Sequence, residues 1–65
     1  MEANKIMLVG KVDSKREGFV EVVLQHKFET LDVIEIDEKD EEIPVAVKLN
    51  GRKIWLFNSE FVVLE

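Results

Sequence analysis

Residues Ile43–Phe57 read IPVAVKLNGRKIWLF, two apolar runs on either side of Asn50-Gly51. Asn-Gly is the strongest short-range hairpin signal, because a two-residue type I′ turn needs positive φ at both central positions. That turn sets the register: Leu49 opposite Arg52, Lys48 opposite Lys53, Val47 opposite Ile54, Ala46 opposite Trp55 and Val45 opposite Leu56. Side chains alternate across a strand, so Val45, Val47, Leu49, Ile54 and Leu56 share one face, which must be a core face. The opposite face carries Ala46, Lys48, Lys53, Trp55 and Phe57 and is chemically mixed. Pro44 has no N–H to donate, so the first strand begins there or lies at an edge at that point.

Outward from the hairpin the chain continues as short apolar runs separated by polar turns. Asn58-Ser59-Glu60 is a tight turn and Phe61 to Leu64, FVVL, a closing strand. Upstream, Leu31 to Asp37, LDVIEID, is a short strand with Ile34 and Ile36 on one face. Lys5 to Val12, KIMLVGKV, is a first strand with Ile6, Leu8 and Val12 on one face, and Gly10 on that face implies a bulge or a close backbone approach. Asp13 to Gly18, DSKREG, is a loop.

Residues 19–31 are ambiguous. As a strand, Val20, Val22, Leu24, His26 and Phe28 line one face. As a helix, Val20, Val23, Leu24, Phe28 and Leu31 fall at helical spacing, and Ser14 to Glu17 has the S-x-x-E form of a capping box. The dense valines with Phe19, and the Gly18 that would sit in a first helical turn, favour a strand over Phe19 to Gln25, with a turn or short helical piece through His26 to Thr30. The expected architecture is therefore all-β: a small SH3-like barrel or rolled antiparallel sheet of five to six short strands, with room for one short helix.

Sixty-five residues make a single small domain, which buries only about 60% of its unfolded surface. The chain has no Cys, so no disulfide braces it, a composition that fits a reducing cytoplasm. With 46% hydrophobic residues it is too apolar for a disordered tail. A small sheet leaves edges to be covered, and a partner protein or a second copy of the chain is a natural source of the missing stability. The apolar run Ile6 to Val9 is too short for a signal-peptide core or a membrane span.

The net charge of −5 is concentrated. Residues 29–42 alone carry −7, from eight acids against Lys39, while the segments on either side are each +1. That balance disfavours general nucleic-acid binding, in which phosphate neutralisation supplies most of the affinity, and favours a basic partner.

Residues suited to catalysis are sparse. His26 has no Cys to activate, and Ser14 and Ser59 lie in turns without a nucleophile-elbow glycine pattern. The acids of the 37–42 loop lack the alternating pattern, central Gly and late Glu of an EF-hand. Gly10, Gly18 and Gly51 are too scattered to cradle a phosphate. Neither a cofactor nor a metal is expected, and the chain reads as a non-enzyme. Trp55 and Phe57 either complete the core, lie under a subunit, or join Lys48 and Lys53 in a protein-binding patch, with Asp37, Glu38, Asp40, Glu41 and Glu42 steering a basic partner from another side. A second reading takes those carboxylates as an imitation of nucleic-acid phosphates, the strategy of small acidic inhibitor proteins of phages and mobile elements.

The C-terminal third resembles the closing strands of SH3-like barrels. It is similar in particular to the ferrous iron transport protein A family and the related C-terminal domain of iron-dependent repressors. The matching pieces are Pro44-Val45-Ala46-Val47, Asn50-Gly51, Ile54-Trp55-Leu56, Asn58-Ser59-Glu60 and Phe61 to Leu64, with Val33-Ile34-Glu35-Ile36 as the preceding strand. The family's helix with a Met-Gly ending has no counterpart in Val22-Val23-Leu24-Gln25-His26-Lys27. The resemblance implies an SH3-like fold and, for function, a small cytoplasmic accessory that docks on an iron transporter.

Overall fold

A computed structural model describes residues 2–65. The fold is mainly β, with β1 (Lys5–Leu8), β2 (Thr30–Asp32), β3 (Glu35–Ile36), β4 (Val45–Leu49), β5 (Arg52–Leu56) and β6 (Phe61–Val63). Among the described residues a single α-helix, α1 (Val20–Gln25), and a 3₁₀ turn, Asn58–Glu60, complete it. The strands form two antiparallel sheets ordered β2-β1-β6 and β3-β4-β5.

The β4–β5 hairpin has the register its turn dictates, from Leu49 opposite Arg52 to Val45 opposite Leu56. Asn50 and Gly51 take φ of 50° and 79°, as a type I′ turn requires. Its inward face, Val45, Val47, Leu49, Ile54 and Leu56, is buried throughout. These side chains meet Ile6 and Leu8 of β1, Phe61 of β6 and Val23 of α1 in one core shared by both sheets.

The segment expected as one strand over residues 31–37 is instead divided between the sheets. Val33 donates its N–H to Asn4 O at 2.9 Å, and the next residue, Ile34, donates to Ala46 O at 2.9 Å. Consecutive N–H groups of a strand point to opposite sides, so this one step hands the chain from β1 to β4 and rolls one sheet into the other. Ile34 is left half exposed at the crossover.

Further expectations are corrected. The first strand stops at Leu8 rather than Val12, because the chain turns at Gly10, where φ is +85°. The close approach is made by a side chain, not by backbone: the Phe28 ring lies so near that a Cβ on Gly10 would meet it at 2.9 Å. Residues 20–25 are helical, not the preferred strand. A strand here would need a neighbouring ladder, whereas the helix supplies some of its backbone bonds from within, starting with Val23 N–H to Phe19 O at 3.0 Å. The Ser14 to Glu17 box does not cap it. Phe19 occupies the N-cap position in a left-handed conformation, with no side-chain cap.

Candidate protein-binding surface

Every second side chain of the hairpin faces outward, but the structure sorts these residues into different surroundings. Ala46, between Glu35 and Trp55 in the cross-strand row, is fully buried. Its small side chain lets groups on β3 and β5 meet across β4. Lys53 forms an ion pair with Glu35, and its ammonium lies 5.1 Å from the centroid of the Trp55 ring. Lys48 is exposed opposite Lys53. Trp55 and Phe57 are both half-buried, belonging neither to the core nor wholly to the surface.

Phe57 belongs to a separate construction. The Arg16 guanidinium stacks over its ring at 5.6 Å and makes a bidentate pair with Glu60, Nε to Oε2 and Nη2 to Oε1, both 2.6 Å. The Glu60 side chain is fully buried and that of Arg16 is 5% exposed. Burying this pair is tolerable because almost every lone pair is used. Glu60 also accepts the Asp13 N–H at 3.1 Å and the Phe57 N–H at 2.8 Å, and Arg16 Nη2 donates to Trp55 O at 2.6 Å. In the hairpin register the Trp55 carbonyl points away from β4, so Arg16 covers the outer edge of β5 as well. Nearby, the Ser59 hydroxyl donates to Asp13 Oδ2 at 2.7 Å and the Lys15 N–H to Oδ1 at 2.8 Å. These bonds, the Lys15 N–H first, hold the Asp13 carboxyl below its ordinary pKa.

The acidic loop is built by its own carboxylates. Asp37 Oδ1 accepts the Lys39 N–H at 3.0 Å, and Asp40 Oδ1 accepts the N–H groups of Glu42 and Ile43, each at 2.9 Å. Asn58 ties the loop to the 3₁₀ turn through its N–H to Glu42 O at 2.9 Å and its side-chain amide to Glu41 O. Glu42 reaches Lys15 at 3.5 Å on the surface. Among the described residues no cluster of three or more His, Cys, Asp or Glu side chains has a metal-holding arrangement.

The loop and the hairpin converge at one place. Asp37, Asp40, Ile43 and Trp55 line a shallow depression that continues into an open groove bounded by Lys39, Glu41 and Glu42. Glu38 borders an adjoining recess with Pro44 and Asn58. Phe57 lines another recess, with Asp13, Lys15, Glu42, Asn58 and Ser59. Of the residues singled out from sequence, Trp55 is therefore brought to Asp37 and Asp40, while Lys48 and Phe57 are not. Ile43 joins this surface through its own loop, where its N–H bonds Asp40, while Glu35 lies beside it through its pair with Lys53. The Arg16–Glu60 pair spans 44 residues between two polar turns, and no local pattern marks it.

His26 ends α1 and is bonded to Glu29 and Asn50, not to either serine. No helix among the described residues is long and apolar enough to cross a membrane. Comparison of the chain with protein-family models, with curated proteins and with solved structures finds no match.

Proposed function

We propose that this chain is a non-enzymatic interaction module that binds a basic segment of another protein. The observation that carries the reading is the depression that Trp55 and Ile43 line together with Asp37 and Asp40. A lysine or arginine side chain has the complementary form: an apolar stem to lie on Ile43 and Trp55 and a cationic head for the carboxylates and the ring face. The protein already makes this contact internally, with Lys53 over Trp55 and paired with Glu35. The −7 carried by residues 29–42 would steer such a partner and make binding weaken with salt. An SH3-like relationship belongs to the same proposal, supported by the two three-stranded sheets, the chain passing between them at residues 33–34 and the one-turn 3₁₀ link before β6.

The test is titration with a lysine- and arginine-rich peptide against Asp37→Asn/Asp40→Asn, Trp55→Leu, and a Glu17→Gln/Glu21→Gln control that removes the same charge outside residues 29–42. Asn keeps the acceptor oxygen each loop turn uses, so the first variant changes charge and not loop geometry. The expected result is loss of binding of about tenfold or more in the first two variants and little change in the control. Equal weakening by the site variant and the control would reduce the effect to net charge and overturn the reading. Capture of a nucleic-acid-handling protein from lysate, lost on neutralising the loop, would favour phosphate mimicry instead.

A further inference from the structure

His26 is the chain's one histidine, and both of its ring nitrogens face oxygens. Nδ1 lies 3.0 Å from Glu29 Oε2, in the turn that follows α1, and Nε2 lies 3.0 Å from Asn50 Oδ1, at the tip of the β4–β5 hairpin. A neutral imidazole carries one N–H and can donate to only one acceptor; an imidazolium donates to both. Glu29 is the charged group acting on the ring, and the hairpin presents only the neutral Asn50 amide to it. Arg52, two residues beyond the turn, is directed elsewhere, over the Phe19 ring at 5.9 Å.

We propose that His26 is a proton-operated clasp joining α1 to the β4–β5 turn, closed on the Asn50 oxygen when both ring nitrogens carry hydrogen and loosened when one is lost, because the contact then survives only if the Asn50 amide turns over to present its NH2. The joint matters because α1 has few other attachments, chiefly Val22 and Val23 against the core and Arg52 over the Phe19 ring at its N-cap. Val23 is its one fully buried side chain, while Val20 and Leu24 are more than a third exposed. The chain leaving α1 is tied to β1 by Phe28 N–H to Leu8 O at 2.8 Å, with Phe28 in a left-handed conformation at φ 65°. Losing the Asn50 contact therefore makes α1 easier to open. The hydrogen bonds to Glu29 and Asn50 also raise the His26 pKa above its ordinary 6.5, which extends the closed state toward neutral pH.

The test is an NMR pH titration of the His26 ring and of the Asn50 and Gly51 amides in the wild type, Glu29→Gln and Asn50→Gly. Glycine keeps the positive-φ turn while removing the side-chain acceptor, so the hairpin still folds. The expected wild-type result is a ring midpoint above 6.5, with the hairpin amides shifting at that same midpoint and the protection of amides in residues 20–26, relative to their intrinsic exchange at each pH, falling above it. Glu29→Gln should lower the midpoint, and Asn50→Gly should lower it and uncouple the Gly51 amide from it. A wild-type midpoint at or below 6.5, or hairpin amides that ignore the ring's titration, would overturn the clasp.

Discussion

The β4–β5 hairpin and the wrap of residues 9–29 hold the same core by opposite means. In the hairpin, local sequence and global structure agree: Asn50-Gly51 sets the turn, alternation sets the face, and five inward side chains are buried. In the wrap, local preference is overruled. Valines favour extended chain, yet Val20, Val22 and Val23 lie in a helix. Phe19 and Phe28 take left-handed conformations that bulky residues avoid, at φ 59° and 65°. What holds the wrap is long-range: Arg16 on Glu60, Phe28 across Gly10, and His26 on Asn50. A region satisfied by its neighbours in sequence folds the way its pattern reads. One satisfied by distant partners does not.

Removing one member from each kind of attachment gives the largest test of this contrast. Glu60→Ala leaves the Arg16 guanidinium buried without its carboxylate, and the expected loss is about 3–5 kcal/mol, comparable to the whole stability of a domain this small. Leu56→Ala in the hairpin core should cost about 2–5 kcal/mol by lost burial and a cavity. Urea denaturation separates the two through the double variant Arg16→Met/Glu60→Leu. It should recover part of the Glu60→Ala loss, because it removes the lone charge but still leaves the Asp13 and Phe57 N–H groups without the Glu60 acceptor. If Glu60→Ala costs no more than a surface substitution, the wrap is not held by this pair.

Gly10→Ala tests a single crowded point. It places a Cβ at positive φ and 2.9 Å from the Phe28 ring, with an expected cost of about 1–3 kcal/mol. Phe28→Ala should relieve the collision but not the backbone strain, so the double variant should cost less than the sum of the singles. Strict additivity in thermal or denaturant unfolding would mean that ring and glycine do not press on each other.

The smallest effects are those of pH, with opposite signs at the two ends of the wrap. The Asp13 pKa is lowered on folding, so its contribution is present above the unfolded value of 3.8 and is lost as pH falls through the folded value. The His26 pKa is raised, so its contribution is complete below 6.5 and is lost as pH rises through the folded value. Stability measured against pH should therefore decline at both ends. His26→Gln should remove the decline on the neutral-to-alkaline side and Asp13→Asn should reduce the acid one. An unchanged profile in both variants would assign the pH dependence elsewhere.

The candidate surface was half legible. Trp55 stands out as the sole tryptophan on the hairpin's outer face, and Asp37 and Asp40 stand out as charge. Nothing local announces that the chain, by exchanging partners between Val33 and Ile34, brings that charge beside that ring. Strand alternation groups Phe57 with Trp55, but the strand ends at Leu56 and Arg16 takes the Phe57 ring into another cluster.

By itself the sequence determined the hairpin, its register and buried face, the mainly β architecture and the placing of the acidic segment, because a two-residue turn and a period of two act between near neighbours. Only the tertiary structure decided that residues 20–25 are helical, that residues 31–37 serve two sheets, and that Arg16 meets Glu60. Each of these depends on which backbone edges and buried charges remain unsatisfied once the rest of the chain has folded, a quantity that no short window of sequence contains.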